Sequence, residues 1–120
     1  MAQKLPPALE QELERYEGLR RENETLQLTI QALQSELSEL SMTLEQLRKQ
    51  PDDTVTYKIV GSVMFRVPKP KLVEELEDRE KTLQMRVSSY SRKLESSSQK
   101  LKELQEKIQI ELGKHNLRLQ

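Results

Sequence analysis

Few side chains in this 120-residue sequence are of types that do chemistry, and their spacing favours no catalytic or metal site. His115 is the only histidine and there is no cysteine, so the chain supplies neither a thiolate nor a second histidine for a zinc site. The glutamates recur at helical spacing beside lysines and arginines, which is typical of solvated faces and not of a pocket for acid–base catalysis. We therefore expect no enzyme activity, no cofactor and no metal site, and a solvated His115.

Glycine placement and overall charge argue against further classes of partner. None of Gly18, Gly61 and Gly113 lies in a glycine-rich phosphate-binding motif. The 20 basic and 20 acidic residues balance, which argues against nucleic acid or an anionic membrane as the main partner. No apolar run approaches the roughly 20 residues that span a bilayer, and the first residues lack the apolar core of a signal peptide. Both observations favour a cytoplasmic location, and the absence of cysteine fits a reducing compartment.

The apolar residues follow a heptad repeat along two long stretches. In the first stretch, the a and d positions are Leu9, Glu12, Tyr16, Leu19, Asn23, Leu26, Ile30, Leu33, Leu37, Leu40, Leu44 and Leu47. In the second, they are Val73, Leu76, Glu80, Leu83, Val87, Tyr90, Leu94, Ser97, Leu101, Leu104, Ile108 and Glu111. This spacing predicts a mainly α fold, a long antiparallel two-helix coiled coil in which the chain folds back on itself.

Facing residues agree with a fold-back near Val60. In that geometry the numbers of facing residues sum to about 120, so that Leu44 faces Leu76. Asn23 lands opposite Ser97, where the two side chains could hydrogen-bond each other or a trapped water. A slipped register would separate them, so we expect this polar layer to fix the alignment.

Charges beside the seam also agree with the antiparallel arrangement. Glu36 is expected to meet Arg86, and Glu22 to meet Lys100. Exposed pairs of this kind contribute only about 0.3–0.5 kcal/mol each, so they would select the orientation of the helices more than they stabilise it.

Prolines mark the ends of both helices. The first helix should occupy residues 7–50, because Pro7 suits a first helical turn and Pro51 cannot continue the helix. The second should occupy residues 70–113, with Gly113 as a natural stop, although the apolar spacing leaves an extension to residue 120 open. We treat residues 1–120 as a single domain.

Residues 54–67 alternate between apolar and polar side chains, which predicts a β-hairpin with Gly61 and Ser62 as its turn. A two-stranded hairpin is only marginally stable alone and leaves its edges and one apolar face unpaired. We therefore predict that hairpins of several subunits pair into a larger sheet or a β-barrel. The residues predicted for this subunit assembly are Val55, Tyr57, Ile59, Val63, Phe65 and Val67. The alternative is a hairpin folded down on the end of its own coiled coil.

The end of the coiled coil far from the hairpin differs from its middle. Polar residues interrupt the seam there, since Glu12 would face Ile108 and Glu111 would face Leu9. Leu5 precedes the helix, and exposed apolar clusters usually mark binding sites. The apolar residues at e or c positions, off the seam, are Leu13, Ile110, Leu112, Leu117 and Leu119. The predicted binding tip consists of Leu5, Leu9, Leu13, Ile110, Leu112, Leu117 and Leu119. The alternative is a set of ordinary exposed leucines near two frayed termini.

With helix, hairpin and helix in this order, the chain resembles a β-type prefoldin subunit over nearly its full length. The most specific part is residues 57–67, preceded by Pro51, Asp52 and Asp53. One hairpin between two helices is the β arrangement, whereas the α type carries two. The resemblance implies a heterohexamer, built either from two α and four β subunits or from six distinct chains, in which the hairpins form a double β-barrel.

The same resemblance implies an ATP-independent co-chaperone in protein folding. The tips of its coiled coils would bind unfolded polypeptide and deliver it to a group II chaperonin. The expected partners are α-type and other β-type prefoldin subunits, unfolded proteins and that chaperonin, with no nucleic acid and no membrane. The alternative function is a structural coiled-coil scaffold or adaptor that binds no unfolded clients.

Overall fold

The computed structural model describes residues 5–114 as two long helices joined by a hairpin. Helix α1 spans Pro7–Arg48, strand β1 Val55–Val60, strand β2 Val63–Pro68 and helix α2 Lys69–Lys114. The two strands pair antiparallel, and the predicted fold class is confirmed. His115, Leu117 and Leu119 lie outside the described residues, as does any extension of α2 to residue 120.

The helix ends that adjoin the hairpin differ slightly from the predicted ones. Helix α1 ends at Arg48 instead of Gln50, and the Gln50 amide donates to the Leu47 carbonyl in a tight final turn. Strand β2 extends to Pro68 and α2 begins at the next residue, so no loop separates them. Pro70 lies in the first turn of α2, where a missing N–H is tolerated.

The described residues form two compact units. The terminal unit combines residues 5–29 with residues 90–114, and the hairpin unit comprises residues 30–89. In the terminal unit, leucines of both helices share one buried cluster. In the hairpin unit, the hydroxyl of Ser41 on α1 donates to the carboxylate of Glu80 on α2 at 2.8 Å. A segment of α1 therefore packs against a segment of α2 in each unit.

The seam predicted from the heptads lies inside the structure, although it omits the buried Leu112. Every assigned a and d residue is buried or half-buried. The most buried apolar residues among them are Ile30, Leu33, Leu44 and Leu83 in the hairpin unit and Leu9, Leu26, Leu104 and Ile108 in the terminal unit. A fully buried apolar side chain contributes roughly 1.5–3 kcal/mol, so we attribute the stability of both helix pairs chiefly to this seam.

The polar layer of the terminal unit is present, but its hydrogen bond differs from the predicted one. Asn23 and Ser97 are both buried. The Asn23 amide donates to the hydroxyl of Ser98 at 2.9 Å, and its carbonyl accepts a hydrogen bond from Gln27 at 2.7 Å. Ser98 lies at the exposed edge of the seam, within reach of the longer asparagine side chain. The Ser97 hydroxyl has no hydrogen-bond partner among the described residues.

The predicted charge pairs are not the ones that form. Glu36 pairs with Arg79 instead of Arg86, the arginine one heptad further along α2. Among residues 5–114, no ion pair joins Glu22 to Lys100. Exposed pairs are weak, so a long side chain can bind either of two neighbours one heptad apart at little difference in free energy.

Candidate functional site

The hairpin has the two-residue turn that the sequence predicted. Val60 pairs with Val63, which leaves Gly61 and Ser62 as the loop. Gly61 has a φ of 60°, a left-handed conformation that a side chain with a Cβ adopts only at a cost. The glycine therefore allows the tight turn that pairs the two strands.

The strand register divides the apolar residues of the hairpin between two faces. Directly paired residues of antiparallel strands lie on the same face, and Tyr57 pairs with Arg66 while Lys58 pairs with Phe65. One face, here called the open face, carries Val55, Tyr57, Ile59, Met64, Arg66 and Pro68. The other, here called the groove face, carries Thr56, Lys58, Val60, Val63, Phe65 and Val67. The prediction of one apolar face was wrong, because the two-residue turn pairs odd-numbered with even-numbered residues.

Neither face is fully covered within the chain. On the open face, Val55, Tyr57, Ile59 and Met64 are between 48% and 69% exposed. On the groove face, Val60, Val63 and Phe65 are exposed to about half, and Val67 is half-buried. Isolated exposed apolar residues are ordinary, but seven on one short hairpin, four on one face and three on the other, give both faces the apolar character that marks a protein interface.

The groove face lies over the first turns of α2. A groove of about 550 Å³ separates them, lined by Lys58, Val60, Phe65, Val67, Lys71, Glu74, Glu75 and Asp78. The Lys58 ammonium binds the Glu75 carboxylate across it. At the base of the hairpin, the buried Thr56 hydroxyl donates to the Val67 carbonyl. The chain therefore partly covers one face of its hairpin, and the alternative of a hairpin folded onto its own helices holds for that face alone.

Both outer edges of the hairpin are also without a partner strand among the described residues, because the sheet has two strands only. Each edge presents backbone N–H and C=O groups that another strand could pair with. Assembly through these edges would satisfy the backbone groups and shield the apolar faces together.

Sequence reasoning missed Lys69, which is only 5% exposed at the start of α2. Its ammonium group donates to the backbone carbonyl of Gln50 and lies 3.3 Å from a carboxylate oxygen of Asp52. The sequence did contain one indication that Lys69 is unusual, because a lysine in the first turn of a helix opposes the helix dipole. Its partner could not be read from the sequence, since it depends on where α1 ends in space.

The predicted binding tip is largely closed in this structure. Leu9 and Leu112 are buried in one cluster with Leu104 and Ile108, and Leu5 and Leu13 are partly buried against it. Of the predicted tip residues within the described range, Ile110 alone is exposed, at 60%. Leu117 and Leu119 lie outside the described residues. The part of the tip within residues 5–114 therefore offers less apolar surface than the sequence predicted.

The spacing of the last seam residues explains this closure. Leu104, Ile108 and Leu112 follow one another at intervals of four residues, so the buried stripe moves from the heptad position of Glu111 to Leu112. The expectation that Leu112 lies off the seam was wrong for this reason. Beside the cluster, Glu12 binds Lys107 at 3.1 Å through one carboxylate oxygen, and its other oxygen is buried without a partner among the described residues.

Residues 5–114 contain neither a membrane-spanning helix nor a cluster of metal ligands. No helix in this range has the length and apolar character needed to cross a membrane. Nor do three or more histidine, cysteine or acidic side chains within the range converge as metal ligands would.

Comparisons with known proteins agree with this architecture. Residues 10–115 match the profile of a family described as "Prefoldin subunit". The prefoldin subunit beta of Thermococcus gammatolerans is 37% identical over 110 residues, which cover 92% of this chain and 94% of that protein. The prefoldin subunit beta of Methanosarcina acetivorans is 34% identical over 113 residues, which cover 94% of this chain and 97% of the relative.

A solved structure gives the same result at the level of the fold. The crystal structure of the prefoldin beta subunit from Thermococcus strain KS-1 superposes with a TM-score of 0.82. It is 31% identical in sequence, and the match covers 99% of this chain and 100% of that one. The order of helix, hairpin and helix is thus shared along the whole length.

Proposed function

Because this chain belongs to the prefoldin family of chaperone subunits, we propose that it acts as a β-type subunit of a heterohexameric, ATP-independent co-chaperone. In this proposal it assembles with α-type and other β-type prefoldin subunits through its hairpin. The assembled coiled coils bind unfolded proteins and pass them to a group II chaperonin in the cytoplasm. Catalysis, a cofactor, nucleic acid and a membrane have no part in it.

The observation that carries the proposal is the uncovered hairpin. The hairpin consists of 12 strand residues, Val55–Val60 and Val63–Pro68. These residues form the open face, the partly covered groove face and two unpaired edges. A hairpin of this size is not stable alone and gains both backbone hydrogen bonds and apolar burial when it joins a larger sheet. The assembly residues are the six predicted from the sequence together with Val60 and Met64, which the register adds.

The client-binding part of the proposal concerns the tip, with Leu5, Leu9, Leu13, Ile110, Leu112, Leu117 and Leu119. Ile110 is exposed and can contact an unfolded chain directly. Leu9 and Leu112 would contribute only after the terminal cluster opens locally. Weak apolar contacts at several tips of one hexamer would then raise the avidity, and release would need competition instead of nucleotide hydrolysis.

The experiment reconstitutes the hexamer with an α-type prefoldin subunit and measures suppression of aggregation of a denatured test protein. Removal of residues 1–13 and 110–120 should abolish suppression, and Ile110→Ser should weaken it. Leu28→Ser is the matched control, because Leu28 is equally exposed, at 66%, but lies away from the tip. Unchanged suppression after the truncation would refute binding at the tips.

A structural scaffold is the second candidate, and the burial of Leu9 and Leu112 favours it. A scaffold would hold partners through the coiled coil and bind no unfolded protein. It predicts that the reconstituted hexamer, or the chain alone, fails to suppress aggregation at any concentration. Native mass spectrometry with and without the α-type subunit gives the assembly state separately from the client assay.

A further inference from the structure

Lys69 carries a charge that is almost completely buried, which is rare for lysine and requires compensation. Its ammonium group has two oxygen partners, the Gln50 carbonyl and one carboxylate oxygen of Asp52. The Asp52 side chain is 91% exposed, so water and salt screen its attraction for the ammonium group. The backbone carbonyl of Gln50 is therefore the principal partner.

The local sequence does not explain why a lysine stands at the first residue of α2. A cation is unfavourable at a helix N-terminus, and the first turn of α2 contains no acidic residue to offset it. At the C-terminal end of a helix, by contrast, the last carbonyl groups lack helical partners and favour a cation. Gln50 lies two residues beyond the last residue of α1, in the turn whose amide binds the Leu47 carbonyl, so Lys69 binds the turn at this helix end from 19 residues further along the chain.

This contact closes the base of the hairpin. Val55 and Pro68 are the last paired residues of the strands, and Lys69 follows directly without a loop. Once Lys69 is bound to Gln50, the start of α2 is fixed to the end of α1, and the direction in which β2 leaves the helices is fixed with it. We propose that Lys69 is a positioning residue that orients the hairpin for pairing with neighbouring subunits. This inference rests on the proposed assembly through hairpins.

The test uses four variants of the full chain. Lys69→Met removes the charge at similar length, Lys69→Arg retains it, and Lys81→Met removes an exposed lysine elsewhere in the same unit. Assembly with an α-type prefoldin subunit should weaken at least about tenfold for Lys69→Met and stay within about threefold of wild type for the other two. Lys69→Gln, whose polar end water can solvate, is expected to behave as Lys69→Met and replaces it if that variant does not fold.

Hydrogen exchange separates positioning from a general loss of stability. In Lys69→Met, amides of residues 52–56, 66, 67 and 69 should exchange faster, while those of residues 80–110 keep wild-type rates. Equal acceleration along the whole chain, or wild-type assembly of Lys69→Met, would overturn the inference. Phe65→Asp distinguishes the two proposals: if it fails to assemble while Lys69→Met assembles normally, assembly through the hairpin stands and positioning by Lys69 is refuted. If both variants assemble normally, both proposals are refuted.

Discussion

The hairpin unit and the terminal unit differ in how far their apolar side chains are exposed. In the hairpin unit, seven apolar side chains of the strands remain about half exposed or more, although the seam beneath them is buried. In the terminal unit, four of the predicted tip residues close into a cluster around Ile108, which is 1% exposed, while Ile110 stays exposed. The four are Leu5, Leu9, Leu13 and Leu112. Within residues 5–114, the exposed apolar surface is thus concentrated on the hairpin, and assembly there offers the larger gain in burial.

The difference has a simple physical origin. Two long helices can bury each other's apolar stripes, since a small shift along the stripe accommodates a residue such as Leu112. A two-stranded sheet has two faces and two edges, and one neighbouring helix can cover only one face. The terminal unit can therefore bury its own apolar residues, whereas the hairpin needs other chains to cover them.

The largest effect should come from a charge on the hairpin. Phe65→Asp should raise the dissociation constant of the assembly by more than about 100-fold, because the carboxylate would be buried in the subunit interface. Helix content measured by circular dichroism should stay the same, since Phe65 is outside the seam. Met85→Asp is the control, at a site in the same unit that is 73% exposed and outside the strands. Equal assembly of both variants would remove the contrast between the units.

A cavity in the terminal cluster should lower the stability of the chain without affecting its assembly. Ile108→Ala should lower the free energy of unfolding by about 2–5 kcal/mol, because it removes buried methyl groups from a closed cluster. Assembly should be unaffected as long as the chain is folded. Ile110→Ala, on the same helix but 60% exposed, should change stability by less than about 0.5 kcal/mol. Chemical denaturation of both variants checks this, and equal losses would mean that the cluster is open in solution.

The buried polar layer should contribute less. Asn23→Ala should cost about 1 kcal/mol of unfolding free energy, since it removes the hydrogen bonds to Ser98 and Gln27. Ser98→Ala should cost about half as much, because it removes one of the two bonds. Denaturation of the two variants and the wild type measures the difference. A wild-type midpoint for Asn23→Ala would show that this layer contributes nothing to the stability of the terminal unit.

The smallest effect should come from the exposed charge pair. Arg79→Ala should cost about 0.3–0.5 kcal/mol at low salt, because Arg79 binds Glu36, and this loss should disappear in about 1 M salt. Arg86→Ala should cost nothing measurable, although the heptads place Arg86 near the same glutamate. A larger loss for Arg86→Ala would restore the pairing predicted from the sequence.

Much of the fold could be predicted from local patterns. Helix and strand periods differ, so the change from heptads to alternation located the hairpin, and Pro51 and Pro70 located the adjoining helix ends to within a turn. The seam was predicted residue by residue, because antiparallel helices with apolar a and d positions have one arrangement that buries them all. These features depend on neighbours in sequence or on a regular repeat.

The candidate site was predictable only in part. The hairpin and its turn followed from alternation and from Gly61. The division of Phe65 and Tyr57 onto opposite faces follows from that two-residue turn, so it was predictable from the sequence and was missed. The tip was predicted from apolar residues off an ideal heptad, and the helix shifted its buried stripe to include Leu112. The apolar residues can be read directly from the sequence, but their heptad positions were a poor guide to which of them are exposed.

The amino-acid sequence by itself determined the two helices, the seam between them and the hairpin that joins them, because these depend on periodicity and on residues that cannot continue a helix. Tertiary structure alone decided which hairpin face lies over α2, which leucines close the terminal cluster, and where the ammonium group of Lys69 finds its carbonyl. Those outcomes depend on the distances between atoms far apart in the chain, where one residue of register or a fraction of a helical turn changes which groups meet.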